Sequence, residues 1–295
     1  MAKRDRGRIE FPIVRCVMKL STLFVSAIIS LCFLSIPLQA HAQEGRSSAC
    51  AGKDAAKYVA GGRECLVFKA FGVETGGDSP ILIMFLHGDV SAGGPASYMY
   101  KYAEQYARPG VVSVAVLRPS YFDTEGNKST DGDHSFSFDS YTPGNIESVA
   151  EVVRGLKERY RAKRVILIGH SGGAAYVGVI LGKYPNLASN AILAACPCDI
   201  GAWRNERGGR GWSFSLSPHS FARDIPQGTR VIAVSGEMDS AVNPRIPKKY
   251  IERLTERGIK AEYREIPGGS HGFGSIGNSA VFSGALDSLI NEETR

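Results

Sequence analysis

Val165-Ile166-Leu167-Ile168-Gly169-His170-Ser171-Gly172-Gly173 passes directly into Ala174-Ala175-Tyr176-Val177-Gly178-Val179-Ile180-Leu181. The first four residues are a short apolar run that fits a buried strand, and the last eight fit a buried helix. Between them stands a G-x-S-x-G pentapeptide, the signature of a sharp strand-to-helix turn that holds a serine hydroxyl above a sheet edge. The turn is tight enough that small residues must flank the serine. Such a pentapeptide also arises by chance in a chain with 34 glycines, so its strand-before, helix-after setting is what gives it weight. The plainer reading of Ser171 is an ordinary helix N-cap.

A serine hydroxyl becomes a strong nucleophile only when a base takes its proton, and the base needs an acid to orient it. Thr229-Arg230-Val231-Ile232-Ala233-Val234-Ser235-Gly236 reads as a strand running into a turn, and Asp239 follows in Gly236-Glu237-Met238-Asp239. Glu237 within that turn and Asp199 after the preceding strand are rival acids. The strand Lys260-Ala261-Glu262-Tyr263-Arg264-Glu265-Ile266 opens into the glycine-rich Pro267-Gly268-Gly269-Ser270-His271-Gly272-Phe273, which offers His271 as the base; His219, in a polar stretch, is its rival. Charge that develops on a substrate oxygen needs preorganised N–H donors. One is the backbone N–H of Gly172. The other comes from His87-Gly88-Asp89, after the apolar strand Ile81-Leu82-Ile83-Met84-Phe85-Leu86, and by position Asp89 is favoured over Gly88. His87 and His170 read as structural.

From about Val67 to Ile290 the chain resembles an α/β hydrolase. The residues that carry the likeness are His87-Gly88, Gly169-x-Ser171-x-Gly173, Gly236-x-x-Asp239 and His271-Gly272-Phe273, whose spacing is similar to the prolyl-oligopeptidase and dienelactone-hydrolase-like branches. The resemblance implies a mostly parallel central sheet with helices on both faces, and at most a small cap. It implies a serine hydrolase whose triad runs in the order Ser171, Asp239, His271, which sets His219 aside, with no metal or organic cofactor. The chain departs from lipases in having His87-Gly88-Asp89 in place of H-G-G-G, and from dienelactone hydrolases in having Ser171 in place of cysteine. No N-terminal propeller of the prolyl-oligopeptidase kind is expected.

Outside these motifs, apolar runs predict strands over 81–86, 111–117, 164–168, 190–195, 230–235 and 261–266. Helices are predicted near 95–107, 145–160, 172–184, 244–257 and 278–290. Strands alternating with helices are the pattern of a parallel sheet with crossovers. Tyr58-Val59-Ala60 and Glu64 to Ala70 predict an antiparallel leading hairpin through Gly61-Gly62. Two longer loops are placed to shape a site. Residues 119–141 carry Asp123, Glu125, Asp131, Asp133 and Asp139, read as a solvated loop, with repulsion of anionic substrates or cation binding as the sharper alternatives. Residues 199–227, with Trp203, Trp212 and Phe214, are room for a small flap.

The formal charge of +6 is misleading, because residues 1–42 carry six cations against two anions and leave about +2 on the rest. That excludes a nucleic-acid footprint. Residues 1–42 read as a secretory signal: Lys19, an apolar run from Leu20 to Leu38, and the small-x-small site Ala40-His41-Ala42 before Gln43. Met18 is a candidate true start. An uncleaved membrane anchor is the rival reading of the apolar run; after cleavage no stable membrane insertion is expected. Residues 43–295 then form one domain in the periplasm or outside the cell. In that oxidising setting Cys50 and Cys65, which flank the hairpin, are candidates for a disulfide. Cys196 and Cys198, one residue apart, are a second candidate pair that would have to close a tight ring. The histidines and cysteines have no familiar zinc spacing. The function expected is hydrolysis of a small-molecule carboxylic ester, or of an amide, through an acyl-enzyme on Ser171. A short-peptide peptidase and a catalytically silent binding protein on the same fold are the alternatives.

Overall fold

The computed structural model describes residues 49–91, 93–133 and 139–292. The expected signal, residues 1–42, lies outside them. Eight strands form one sheet in the order β1-β2-β4-β3-β5-β6-β7-β8. The antiparallel hairpin of β1 (Tyr58–Gly61) and β2 (Glu64–Phe71) leads into β3 (Ile81–Leu86), α1 (Tyr100–Tyr106) and β4 (Val111–Val116). Then come α2 (Pro143–Arg159), β5 (Arg164–His170), α3 (Gly172–Lys183), β6 (Asn190–Ala194), and the short α4 (Ile200–Glu206) and α5 (Pro218–Phe221). The chain continues through β7 (Arg230–Gly236), α6 (Arg245–Glu256), β8 (Lys260–Ile266), α7 (Phe273–Gly277) and α8 (Ala280–Ile290). β2 meets β4 antiparallel, and from β4 across to β8 every pairing is parallel.

Alternation along each strand decides what each face packs against. Leu82, Met84, Leu86, Val165, Leu167, Ala191, Leu193, Val231 and Ala233 bury against α2, α3 and α6. Ile83, Phe85, Ile166, Ile168, Ile192, Ala194, Ile232 and Val234 bury against Tyr102, Ala103 and Tyr106 of α1 and Phe282, Leu286 and Leu289 of α8. A parallel sheet covered on both faces needs unbroken apolar strands, which is why β3 to β7 read as runs rather than as alternations. Helix starts follow local chemistry. Thr142 caps α2 by accepting from the Asn145 N–H, with Pro143 in the first turn, where its missing donor costs nothing.

The predicted strands and helices fall on observed ones with small shifts. The helix predicted over 278–290 is α8, which starts two residues later because Ser279 caps it through the Phe282 N–H; the short α7 before it was not predicted. The predicted helix over 95–107 begins as a 3-10 turn, Ser97–Met99, before α1. The flap is α4 and α5 with a 3-10 turn, Ala222–Asp224. Two disulfides close: Cys50–Cys65 beside the hairpin, with Cα atoms 5.2 Å apart, and Cys196–Cys198 just beyond β6. Among the described residues no helix is long and apolar enough to cross a membrane.

Candidate active site

Ser171 sits between β5 and α3 at φ 51° and ψ −118°. That is neither the right- nor the left-handed helical region, so the residue is strained and its surroundings must hold it there. They do so through its backbone. The Ser171 N–H donates to the Ala194 carbonyl at 2.8 Å, and its carbonyl accepts from Ala174 at 2.9 Å and Ala175 at 3.1 Å. The flanking glycines are steric requirements. A Cβ on Gly169 would meet Ala174 Cα at 2.5 Å, and one on Gly173 would meet the His87 carbonyl oxygen at 2.5 Å.

The three residues read as nucleophile, acid and base come together at the carboxyl ends of β5, β7 and β8, the rim where open α/β sheets bind ligands. His271 Nε2 lies 3.1 Å from Ser171 Oγ, and His271 Nδ1 lies 2.9 and 3.0 Å from the two Asp239 oxygens. The carboxylate cannot donate, so Nδ1 carries the proton and Nε2 is left to accept from the serine hydroxyl. Asp239 Oδ1 also accepts from the Ala241 N–H at 2.9 Å and the Val242 N–H at 2.8 Å. Its side chain is wholly buried, while that of His271 stays 26% exposed, so the carboxylate is fixed and the imidazole keeps an accessible edge. The two loops are laced together: the Glu237 N–H donates to the Ile266 carbonyl and the Met238 N–H to the Gly269 carbonyl.

The rival residues are occupied elsewhere. Asp199 is the N-cap of α4, accepting from the Ala202 N–H at 3.0 Å. Glu237 accepts from the Gly268 N–H at 2.8 Å. His219 lies on α5 at 2.8 Å from Arg253 NH1, with Asp199 3.9 Å away.

Gly172 is the first residue of α3, so its N–H has no helical acceptor. In the loop after β3, the Gly88 N–H is taken by Tyr98 Oη at 2.5 Å. The Asp89 N–H meets no acceptor among the described residues. The Asp89 carboxylate is held from three sides. Arg118 NH2 donates to it at 2.6 Å, Tyr141 Oη at 2.5 Å and Tyr121 Oη at 3.4 Å. It packs where a side chain at position 172 would go: a Cβ there would meet Asp89 Oδ1 at 2.6 Å and Tyr141 Oη at 2.7 Å. Arg118 is fully buried, and its guanidinium lies 4.9 Å from the ring centres of Tyr121 and Tyr176. His87 braces the same loop. Its Nδ1–H donates to the Gly88 carbonyl at 2.7 Å, and its Nε2 accepts the Arg118 N–H at 3.0 Å. Burial, and then the Arg118 charge, hold the His87 pKa well below the usual histidine range, so the ring is neutral.

The sequence reading missed Tyr98, Arg118, Tyr121 and Tyr141. Only Arg118 leaves a trace in the sequence, as a charge standing directly after the apolar run Val111 to Leu117. The flap clamps the acid loop: Trp203 Nε1 and Arg207 NH1 both donate to the Ala241 carbonyl, at 2.8 and 3.0 Å. In the acidic loop, residues 134–138 lie outside the described residues. Asp123 caps its own turn through the N–H groups of Glu125 and Asn127. Glu125 pairs with Lys57 and Lys69, and Asp131 with Lys128. Among the described residues no group of three His, Cys, Asp or Glu side chains is placed to hold a metal ion.

The model of a family described as the alpha/beta hydrolase family matches residues 83–266. No curated protein matches the sequence. Among solved structures, Est1E from Butyrivibrio proteoclasticus is similar at TM-score 0.57 and 15% identity, over 79% of this chain and 98% of that one. A propionate-bound esterase, Est2, from Thermogutta terrifontis is similar at TM-score 0.56 and 16% identity, over 77% of this chain and 89% of that one. A puromycin-hydrolyzing peptidase from Mycobacterium tuberculosis is similar at TM-score 0.59 and 16% identity, over 77% of this chain but 37% of that one. At these identities the likeness is one of fold.

Proposed function

The chain belongs to the alpha/beta hydrolase family, and from that premise we propose that it is an exported serine hydrolase cleaving carboxylic esters through an acyl-enzyme on Ser171. One observation carries the reading: the unbroken chain from Ser171 Oγ through His271 to Asp239. His271 Nε2 takes the hydroxyl proton as Oγ attacks the ester carbonyl. Asp239 orients the ring and stabilises the imidazolium. The N–H groups of Gly172 and Asp89 receive the oxyanion; losing one such donor typically costs about 3–4 kcal/mol of barrier. The imidazolium then passes its proton to the departing alkoxide. Water, activated by the same imidazole, releases the acid and frees Ser171.

Esters are favoured over peptides because Est1E and the Thermogutta terrifontis esterase are matched over nearly their whole lengths, whereas most of the peptidase lies outside the match. A catalytically silent relative would have no need of the strained Ser171 backbone or of a base directed at its hydroxyl. Export rests on residues 1–42 acting as a cleaved signal, with Gln43 first in the mature chain. The two disulfides suit an oxidising compartment.

The test is turnover of an aryl ester panel beside a chromogenic peptide panel, for wild type and Ser171→Ala. Alanine fits the elbow, so the variant keeps the wild-type melting temperature and loses ester turnover. Retention of more than a few per cent of kcat, or peptide turnover exceeding ester turnover, would overturn the proposal.

A further inference from the structure

We infer that Tyr98 and His170 are positioning residues that tie the oxyanion loop to the loop of the catalytic base, an inference that rests on the serine-hydrolase reading above. Three hydrogen bonds run head to tail. The Gly88 N–H donates to Tyr98 Oη at 2.5 Å. The Tyr98 hydroxyl donates to His170 Nδ1 at 2.7 Å. His170 Nε2–H donates to the His271 carbonyl at 2.9 Å. Only this direction satisfies all three groups, because the Gly88 N–H cannot accept and the His271 carbonyl cannot donate.

The chain of bonds supplies what the sheet does not. The oxyanion loop leaves β3 and the base loop leaves β8. In the sheet these strands are separated by β5, β6 and β7. His170 ends β5, directly before Ser171, and reaches both loops from the centre. Its ring centre lies 5.2 Å from those of His271 and Phe273, and a Cβ on Gly88 would meet His170 Nδ1 at 3.0 Å. His170 is almost fully buried, and burial, then the neighbouring His271, bring its pKa down to about 4. It is therefore neutral above that pH, and the Nε2–H tautomer persists there.

The consequence is a fixed spacing between the oxyanion donors and His271. Histidine at position 170 then does more than pack: a residue of similar size without both ring nitrogens would leave one loop free. Asparagine and glutamine cut the chain at different links. His170→Gln keeps a donor near the Nε2 position and loses the acceptor for Tyr98. His170→Asn keeps the acceptor and loses the donor to His271. Tyr98→Phe keeps the ring and removes the hydroxyl, so it cuts the link that His170→Gln cuts and the link to Gly88 as well.

The experiment measures kcat and KM on an aryl ester, inhibition by phenylboronic acid, and the downfield proton resonance of the His271–Asp239 hydrogen bond, for wild type, these three variants and Tyr98→Phe/His170→Gln. Phenylboronic acid adds to Ser171 Oγ and places an oxygen among the oxyanion donors. Each single variant is expected to lower kcat about ten-fold with KM within about two-fold, a fraction of the roughly hundred-fold that a ~1 Å misplacement costs. Tyr98→Phe and His170→Gln weaken boronate binding and leave the His271 resonance in place, and combining them adds nothing beyond Tyr98→Phe alone. His170→Asn shifts or broadens the resonance and disturbs boronate binding less. Additive losses in the double variant, or loss of melting temperature with kcat unchanged, overturn the relay. Wild-type turnover with all three variants unchanged overturns the relay alone. Wild type that neither turns over esters nor binds boronate overturns the serine-hydrolase reading, and the relay with it.

Discussion

Arg118→Met separates packing from electrostatics beside the nucleophile. Arg118 is wholly buried and meets the Asp89 carboxylate at 2.6 Å, and the Asp89 side chain is itself 19% exposed. Removing the guanidinium leaves the carboxylate with two tyrosine hydroxyls and no cation. Breaking a buried pair from one side typically costs about 3–5 kcal/mol. That is a large share of a total stability of roughly 5–15 kcal/mol. At about 2–4 °C per kcal/mol for a domain of this size, the melting temperature should fall by roughly 6–20 °C. Chemistry suffers as well. Two unit anions about 5 Å apart repel by on the order of 3 kcal/mol at an effective dielectric of about 20, so kcat should drop roughly hundred-fold with KM little changed. Arg118→Met/Asp89→Asn removes both charges, and much of each loss should return, because an unpaired charge costs more than an absent pair. Calorimetry and ester kinetics on both single variants and the double measure the coupling. A double variant no more stable than Arg118→Met, or Arg118→Met melting with wild type, would refute the reasoning.

Asp239→Asn should lower kcat by on the order of 10⁴, because the amide cannot hold His271 in the tautomer that accepts the serine proton; Glu237→Gln should stay within a few-fold of wild type, and kinetics that reverse this order would assign the acid to Glu237. Stability should fall in acid. His170 titrates at about 4 in the folded protein and His87 well below its ordinary value, against about 6.5 when unfolded. The unfolded chain therefore binds these protons more readily, so the stabilisation is whole above about pH 6.5 and is lost as pH falls toward 4, with His170 alone contributing on the order of 3 kcal/mol. Melting scans across that window check the slope, and His170→Asn should flatten it; an unchanged slope would tell against a buried neutral imidazole. Reduction of the disulfides should lower the melting temperature more than the room-temperature specific activity, since Cys50–Cys65 closes a 15-residue separation of a kind worth about 3 kcal/mol in the chain-entropy model. Activity lost in parallel with the disulfides would place one of them in the catalytic architecture.

The sheet was legible because strands buried on both faces are built from apolar runs, and β3 to β7 are such runs, broken only at positions such as Ser113, Arg164, Asn190 and Ser235. The candidate residues Ser171, Asp239 and His271 stood out because each follows a strand end in a turn that carries glycine, where little choice of residue is left. The braces around them were not. Tyr98 reaches Gly88 across 10 residues, Arg118 reaches Asp89 across 29, and Tyr141 reaches it across 52. No periodicity records contacts of that kind, and a tyrosine in a loop reads the same whether it holds an oxyanion loop or faces solvent. Histidine 170 read as packing alone, because its two partners come from loops that only the folded sheet brings together. The Cys196–Cys198 bridge was left open for a related reason: closing so small a ring depends on backbone angles that sequence spacing does not reveal.

The covalent intermediate tests the central claim most directly. Wild-type protein is mixed with an aryl acetate, quenched in acid within the first turnovers, and examined by intact mass and peptide mapping. A single acetyl group on the peptide carrying Ser171, released on further incubation and absent from Ser171→Ala, is the predicted result. Aryl ester turnover with no acyl group on Ser171, or undiminished turnover in Ser171→Ala, would contradict the account.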